Sequence, residues 1–226
     1  MIYDATLQDL INIPVKDNWE RLVKISDSRI FCQYHPSNKD MEQYFWWDII
    51  VRHKVAKMLS SAQDALSQHH NAYILHVTYG YRSLETQQKR YNMRLNTLAQ
   101  SGLTGFDLES VAHETVAHPQ VAWHPTWWAV DVLIRDTKLQ AHLDFWSPIY
   151  DYSNDLYKIN NLPDHPQYTQ AINNRILLRT IMLKAGFIPY DGEYWHFSYW
   201  DQEWAYHTRS HALYAQIPLK ALQHIQ

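Results

Sequence analysis

One stretch of eight residues, His124 to Asp131, restricts the fold of this chain more than any other. A histidine and an aspartate lie seven positions apart in it, a spacing that would place both on one face of a helix. Pro125 and the β-branched run after Asp131 argue against a helix there. We therefore predict a bend after His124 and entry into a strand at Asp131, which would let both side chains converge on one ion.

A second short cluster adds residues of the same chemistry. It reads Glu193-Tyr194-Trp195-His196, so another histidine follows a glutamate by three positions. Two histidines and one aspartate form a zinc-ligand set that leaves the fourth position open, as catalytic zinc sites do. Glu193 would then be suited to act as the base for a water activated by the metal. The residue types together favour a zinc hydrolase.

Spacing alone leaves this interpretation open. On a straight strand Glu193 and His196 would point to opposite faces, so they cooperate only if the strand twists, bulges or ends between them. The chain has 14 histidines, so chance pairs of histidine and aspartate are common. Each of these residues taken alone is more often a hydrogen-bonded structural residue. Arg82, at a predicted handover from strand to helix, is equally explained as an ion-pair partner.

Composition bounds the class of protein. The 226 residues fit one domain, 1–226, with an irregular N-terminal lead over 1–40. Apolar residues make up 46% and charged residues 19%, and no segment approaches the roughly 18 uncharged apolar residues of a membrane span. The net charge of -3 gives no reason to expect nucleic acid. Cys32, the single cysteine, excludes an internal disulfide, and with no signal-like start it favours the cytoplasm.

Periodicity and turn residues predict an α+β fold. A small central antiparallel sheet would be flanked by helices, with the zinc site on the sheet. A long connection rich in Asp, Asn, Pro and Tyr spans 144–168, and loops of that length are usually functional or mobile. The predicted helices cover 41–69, 83–100, 170–184 and 201 to about 214, the strands 72–79 and 129–135, and a hairpin 187–199 with its turn at Asp191-Gly192.

Three motifs occur in a diagnostic order. They are Gly80-Tyr81-Arg82-Ser83, the His124-to-Asp131 segment and Glu193-Tyr194-Trp195-His196-Phe197. In this order and with these approximate separations, the chain resembles the D-alanyl-D-alanine dipeptidases, a family of zinc D,D-peptidases that includes the vancomycin-resistance dipeptidases. The helix from Asn174 to Met182, which leads to Gly186, is also similar. The resemblance covers roughly residues 70 to 200.

The resemblance implies a role for each residue of these motifs. His124, Asp131 and His196 would bind Zn²⁺. Glu193 would be the general base that takes a proton from the metal-bound water and passes it to the leaving amine. Arg82 would stabilise the developing oxyanion, which it can do without a protonation requirement. The implied reaction is hydrolysis of a small, D-Ala-D-Ala-like dipeptide.

The motif departs from the family at two neighbouring tryptophans. Family members have glycine at the position of Trp127 and often at that of Trp128, where glycine permits a dihedral that tryptophan disfavours. Two indoles beside the metal would narrow or reshape the pocket, so we assign both to substrate binding. Asp144 is our candidate for holding the free amino end of the substrate. Ser83 replaces the usual proline, which still allows a helix N-cap.

Two alternatives to a dipeptidase follow from the same residues. One is a D,D-carboxypeptidase or endopeptidase on longer cell-wall peptides, with the 10 Trp and 16 Tyr forming a groove. The other is a non-catalytic zinc-containing binding protein whose pocket is closed by Trp127 and Trp128. We expect a small peptide substrate as partner, and neither nucleic acid nor membrane. The sequence does not set the oligomeric state.

Overall fold

The computed structural model describes residues 5–219, so the first four residues of the predicted lead lie outside it. None of the helices in that range is long and apolar enough to cross a membrane. The helices are Leu7–Ile11 (α1), His53–His69 (α2), Leu84–Gln100 (α3), Gly105–Thr115 (α4), Thr169–Lys184 (α5) and Gln202–Thr208 (α6), with short 3-10 helices at Glu42–Tyr44, His124–Thr126, Asp155–Tyr157 and Pro166–Tyr168. The strands are Leu22–Lys24 (β1), Phe31–Cys32 (β2), Ile50–Arg52 (β3), Tyr73–Tyr79 (β4), Val130–Asp136 (β5), Ala141–His142 (β6), Ile188–Pro189 (β7) and His196–Ser198 (β8).

The main sheet runs in the order β2-β4-β5-β8-β7, and β6 pairs with the far end of β5. All its pairings are antiparallel except that of β2 with β4, which is parallel. A separate two-stranded ribbon pairs β1 with β3. The predicted α+β fold with a mainly antiparallel sheet and flanking helices is therefore confirmed.

The two longest strands, β4 and β5, lie at the centre of the sheet, and their side chains are buried on both faces. Leu75 and Val77 of β4 and Val132 and Ile134 of β5 are almost fully buried in one apolar cluster. The helix α2 packs on this sheet and on α5, and its own apolar face enters the same cluster. Each such fully buried aliphatic side chain contributes about 1.5–3 kcal/mol to folding.

Two helices are shorter than the sequence pattern indicates. The helix predicted from residue 41 begins at His53, because the preceding residues 50–52 pair with β1. The last helix begins after its predicted cap, Asp201, and ends at Thr208, six residues before Tyr214. Beyond it the chain hydrogen-bonds to the segments around Pro14 and Trp200. Pairing with distant segments, which local propensity does not encode, sets both ends.

The other predicted helix boundaries are confirmed, and the predicted hairpin forms with a longer turn than Asp191-Gly192. The Ser83 hydroxyl accepts a hydrogen bond from Thr86 N at 3.1 Å and caps α3, so serine serves where proline is usual. Gly186 follows α5 with a φ of +99°, as expected for a glycine that ends a helix. The hairpin β7–β8 also forms, with six residues between its strands. These boundaries depend on local chemistry, which the sequence does encode.

Candidate active site

Three side chains meet where β5 and β8 run side by side. Asp131 and His196 are directly opposite each other in the antiparallel pairing, so both project to the same face. His124 comes from the 3-10 turn before β5, after which Trp127 (φ 69°, ψ 15°) redirects the chain into the strand. One ligand atom from each of the three residues lies within 4.8 Å of the others, and all three are buried. The predicted bend and convergence are present.

His124 is held in one tautomer. Its Nδ1 lies 2.6 Å from the Gly80 carbonyl, which can only accept, so Nδ1 carries the proton. Burial lowers the pKa of His124 to about 4, which keeps the ring neutral and the Nε2 lone pair free. That Nε2 lies 3.5 Å from Asp131 Oδ2. Gly80 is required because a Cβ there would lie 2.7 Å from Ile49 Cγ2.

Asp131 and His196 form a buried charged pair. His196 Nδ1 lies 3.0 Å from Asp131 Oδ1. Burial opposes ionisation of Asp131, but the neighbouring His124 and His196 outweigh it and hold the pKa of this carboxyl well below its usual range. Burial would lower the pKa of His196, yet the hydrogen bond to Asp131 raises it. The buried carboxylate of Asp131 is thus stabilised by positive charge beside it, which a bound metal cation would also supply.

The donor set fits zinc. Two imidazoles and one carboxylate are typical ligands of a catalytic zinc ion, and they leave a fourth position open. Within residues 5–219, His196 Nε2 is a buried nitrogen without a hydrogen-bond partner, so the ring retains unused bonding capacity. The Nδ1–H bond from His124 to Gly80 also matches the way in which metal-binding histidines are usually oriented.

Glu193 lies in the turn before β8, which begins only at His196. The start of β8 therefore lies between Glu193 and His196. Their side chains need not point to opposite faces of a strand, so they can cooperate. Glu193 is 8% exposed, and burial raises the pKa of its carboxyl to about 7. A carboxylate with a pKa near neutrality is suited to act as a general base.

Arg82 lies in the short connection between β4 and α3, as predicted. Its Nε donates to Tyr79 Oη at 3.3 Å and its Nη1 donates to Gln87 Oε1 at 2.8 Å. Its backbone N–H donates to the His124 carbonyl at 3.4 Å, which ties the arginine motif to the histidine motif. Both side-chain hydrogen-bond partners of the guanidinium are neutral, and the carboxylates of Asp40 and Asp131 act on its charge through space.

The five residues line one cavity of about 180 Å³. It is smaller than the 300–1,000 Å³ typical of pockets for drug-sized ligands, so it suits a small substrate. Several other residues that line the cavity were not predicted from the sequence. Tyr150 and Tyr152 could have been found, because they lie in the connection 144–168, whose length is typical of a functional or mobile loop. Nothing in the sequence of the N-terminal lead pointed to Ser37 or Asn38. The missed residues include Ser37, Asn38, Gln87, Arg90, Tyr150 and Tyr152.

The prediction that Trp127 and Trp128 line the pocket is wrong. Both indoles are fully buried in the core, and neither belongs to the lining described above. Trp127 stacks on Tyr81 with a centroid distance of 3.6 Å, and Trp128 stacks on Tyr214 at 3.5 Å. The expected dihedral is present, because Trp127 has a positive φ of 69°. The backbone keeps the glycine-like turn while the ring packs away from the site.

The structure also corrects the substrate-binding role of Asp144. Its side chain is exposed, and its Oδ1 accepts a hydrogen bond from Trp146 N at 2.7 Å. Its carbonyl accepts from Asn174 Nδ2 at 2.6 Å, which ties the loop to α5. Asp144 is not among the residues that line the cavity. Its position is that of a turn-capping residue.

Trp127→Gly is expected to destabilise the protein by about 1–4 kcal/mol. Loss of a buried indole costs about 3–5 kcal/mol, whereas relief of the left-handed backbone returns about 1–2 kcal/mol. Urea unfolding measures the net change. Trp127→Ala is the matched control and should be less stable than Trp127→Gly, because it leaves a similar void without the full backbone relief. A glycine variant as stable as the wild type would contradict this packing role.

Known proteins are similar to this chain over most of its length. The family model described as D-ala-D-ala dipeptidase, Peptidase M15, matches residues 42–217. A curated relative, the D-alanyl-D-alanine dipeptidase of Synechocystis sp., is 26% identical over 236 residues. That alignment covers 91% of this chain and 92% of the relative. The residues matched by the family model include Arg82, His124, Asp131, Glu193 and His196.

Two solved structures align with most of this chain. The zinc complex of the vancomycin-resistance D,D-pentapeptidase VanY aligns with a TM-score of 0.47 and 16% identity, covering 90% of this chain and 96% of that one. The vancomycin-resistance D,D-dipeptidase VanXYg, in complex with a D-Ala-D-Ala phosphinate analogue, aligns with a TM-score of 0.43 and 17% identity. The second alignment covers 99% of this chain and 75% of that one.

Proposed function

Because the chain belongs to the Peptidase M15 family of D-Ala-D-Ala dipeptidases and is a metallopeptidase, we propose that it hydrolyses a D-Ala-D-Ala-like dipeptide with the help of zinc. One observation carries the proposal. The residues His124, Asp131 and His196 converge within 4.8 Å, and a buried glutamate and an arginine line the same cavity of about 180 Å³. Ligands, base and cation for peptide hydrolysis therefore share one small space.

In this proposal, His124, Asp131 and His196 hold the zinc ion. Bound there, zinc would supply a Lewis acid that polarises the scissile carbonyl and activates water near neutral pH. The protein contributes the orientation of the ligands. Gly80 fixes the His124 ring, and the β5–β8 pairing places Asp131 beside His196.

Glu193 moves the proton. Its carboxylate takes a proton from the attacking water and delivers it to the nitrogen of the leaving D-alanine. The raised pKa supports both steps, because a carboxyl near pKa 7 accepts and releases a proton at neutral pH with little penalty. The hydrogen bond from Tyr152 Oη to Glu193 Oε1 (2.7 Å) orients the group.

Arg82 stabilises the charge that develops on the carbonyl oxygen. A guanidinium stays charged at any physiological pH, so its contribution does not depend on a proton. Gln87 and Tyr79 hold it in place before the substrate arrives. A donor that is already oriented lowers the barrier more than one that must reorganise during the reaction.

The cavity has room for a dipeptide. Its volume of about 180 Å³ suits a molecule of two small residues. A binding protein closed by Trp127 and Trp128 is not supported, since both indoles pack in the core away from the lining. Buried base and cation beside the ligand set are also features that binding alone does not need.

The proposal is tested by release of free D-alanine from D-Ala-D-Ala by zinc-loaded protein. We expect hydrolysis that a chelator abolishes and that added zinc restores, because the ligand set is needed to hold the ion. L-Ala-L-Ala and longer peptides ending in D-Ala-D-Ala serve as comparison substrates, and we expect slower cleavage of both. Stoichiometric zinc with no cleavage of D-Ala-D-Ala would overturn the proposed function.

A further inference from the structure

Two tyrosines from one short segment reach the two carboxylates of the site. Tyr150 and Tyr152 lie in the irregular connection between β6 and α5. Both line the cavity, and neither belongs to the motifs that define the ligands, base and arginine. Their hydroxyls contact different groups, since one binds Asp131 and the other binds Glu193.

Tyr150 holds the carboxylate of Asp131. Its hydroxyl donates to Asp131 Oδ2 at 2.8 Å and lies 3.1 Å from Thr78 Oγ1. Burial, and then the charge of Asp131, raise the pKa of this phenol well above its ordinary value, so it remains a donor. The second oxygen, Oδ1, faces His196 Nδ1 at 3.0 Å. With each oxygen engaged on one side, rotation of the carboxylate is fixed.

The backbone at Tyr150 is held under strain. Its φ is +65°, in the left-handed region that bulky residues disfavour. The connection is tied down by the buried guanidinium of Arg175 on α5, which donates to the carbonyls of Phe145 and Leu156, each at 2.7 Å. Strain of this kind persists where surrounding contacts over-determine it.

Tyr152 holds the base. Its hydroxyl donates to Glu193 Oε1 at 2.7 Å. The ring packs edge-on against Tyr157 and Trp195, with centroid distances of 5.0 and 6.0 Å. With Oε1 engaged, Oε2 is the oxygen left to accept a proton.

We propose that residues 150–152 carry two positioning residues with separate tasks: Tyr150 holds Asp131 for the metal, and Tyr152 holds Glu193 for proton transfer. The inference rests on the proposed function, and it assigns roles to residues outside the three motifs. Loss of such an outer partner of a metal site typically lowers metal affinity or activity by about 10–100-fold. The separate contacts predict that the two losses fall on different measured quantities.

The test compares Tyr150→Phe with Tyr152→Phe, each of which removes only a hydroxyl. Tyr150→Phe is expected to raise the zinc Kd by about 10–100-fold, measured by competition with a chromophoric chelator. Tyr152→Phe is expected to lower kcat on D-Ala-D-Ala by about 10–100-fold while zinc Kd and KM stay at wild-type values. A general structural role would instead move zinc Kd, KM and the melting temperature together.

Two further variants sharpen the result. Tyr168→Phe removes a hydroxyl from the same connection away from the cavity, and it should leave zinc Kd and kcat unchanged. Glu193→Gln/Tyr152→Phe should be no slower than Glu193→Gln alone, because Tyr152 acts through Glu193. A wild-type zinc Kd in Tyr150→Phe, or a wild-type kcat in Tyr152→Phe, overturns the inference. If the wild-type protein cleaves no D-Ala-D-Ala, the proposed function fails, and the zinc Kd of Tyr150→Phe alone decides the inference.

Discussion

Glu193→Gln is expected to lower kcat on D-Ala-D-Ala by about 10²–10⁴-fold, the usual contribution of a general base. Glutamine has nearly the same shape as glutamate and its amide oxygen can still accept the hydrogen bond from Tyr152, but it cannot take up a proton. Zinc content should remain stoichiometric, because Glu193 is not one of the converging ligands. Steady-state kinetics together with metal analysis of the purified variant measure both quantities.

The pH profile offers a second check on Glu193. The base must be unprotonated to act, so wild-type activity should fall as pH drops through the pKa of Glu193. Burial raises that pKa to about 7 in the metal-free protein, and a zinc ion beside the carboxyl would lower it, so the acid limb of the zinc-loaded enzyme should lie below pH 7. Glu109→Gln makes the same chemical change on the exposed face of α4 and should leave rate and limb unchanged. A Glu193→Gln variant with wild-type kcat would exclude this residue as the base.

Arg82→Lys is expected to lower kcat by about 10²–10³-fold, the usual cost of removing one oriented donor from a developing oxyanion. Lysine keeps the positive charge but lacks the planar fork that contacts Tyr79 and Gln87 together. Its compact ammonium therefore loses the orientation that the guanidinium has before substrate binds. We expect a smaller change in KM, because the interaction strengthens mainly in the transition state.

Single-turnover kinetics with D-Ala-D-Ala separate the chemical step from product release for Arg82→Lys. The matched control is Arg135→Lys, whose guanidinium contacts Gln140 at the far end of β5. This control should retain the wild-type rate. A lysine variant at position 82 with an unchanged chemical step would show that Arg82 is structural, which is the alternative that the sequence left open.

Local chemistry made part of the site predictable. Pro125 and the β-branched residues after Asp131 indicated a bend followed by a strand, and the structure has both. Ser83 was expected to cap α3, and it does. The positive φ of Trp127, 69°, was also foreseeable, because the dipeptidase family that the sequence resembles has glycine at that position. Each of these features depends on residues that lie within a few positions of one another in the sequence.

The direction of the side chains was not predictable in the same way. Trp127 and Trp128 were expected to lie beside the metal, but they stack on Tyr81 and Tyr214, and the latter lies 86 positions from Trp128. Asp144 was expected to bind substrate, but it caps a surface turn. Which way a side chain points depends on the partners that the fold brings to it, and these lie far away in the sequence.

The sequence by itself determined the residue types of the site, their order along the chain and the local backbone at each motif. Tertiary structure alone decided that Asp131 lies opposite His196, 65 positions away, and that Tyr150 and Tyr152 reach the two carboxylates. The physical reason is the range of the forces involved. Steric limits and capping act within a few residues. Strand register, in contrast, depends on placing the apolar side chains of all strands on the buried faces of the sheet.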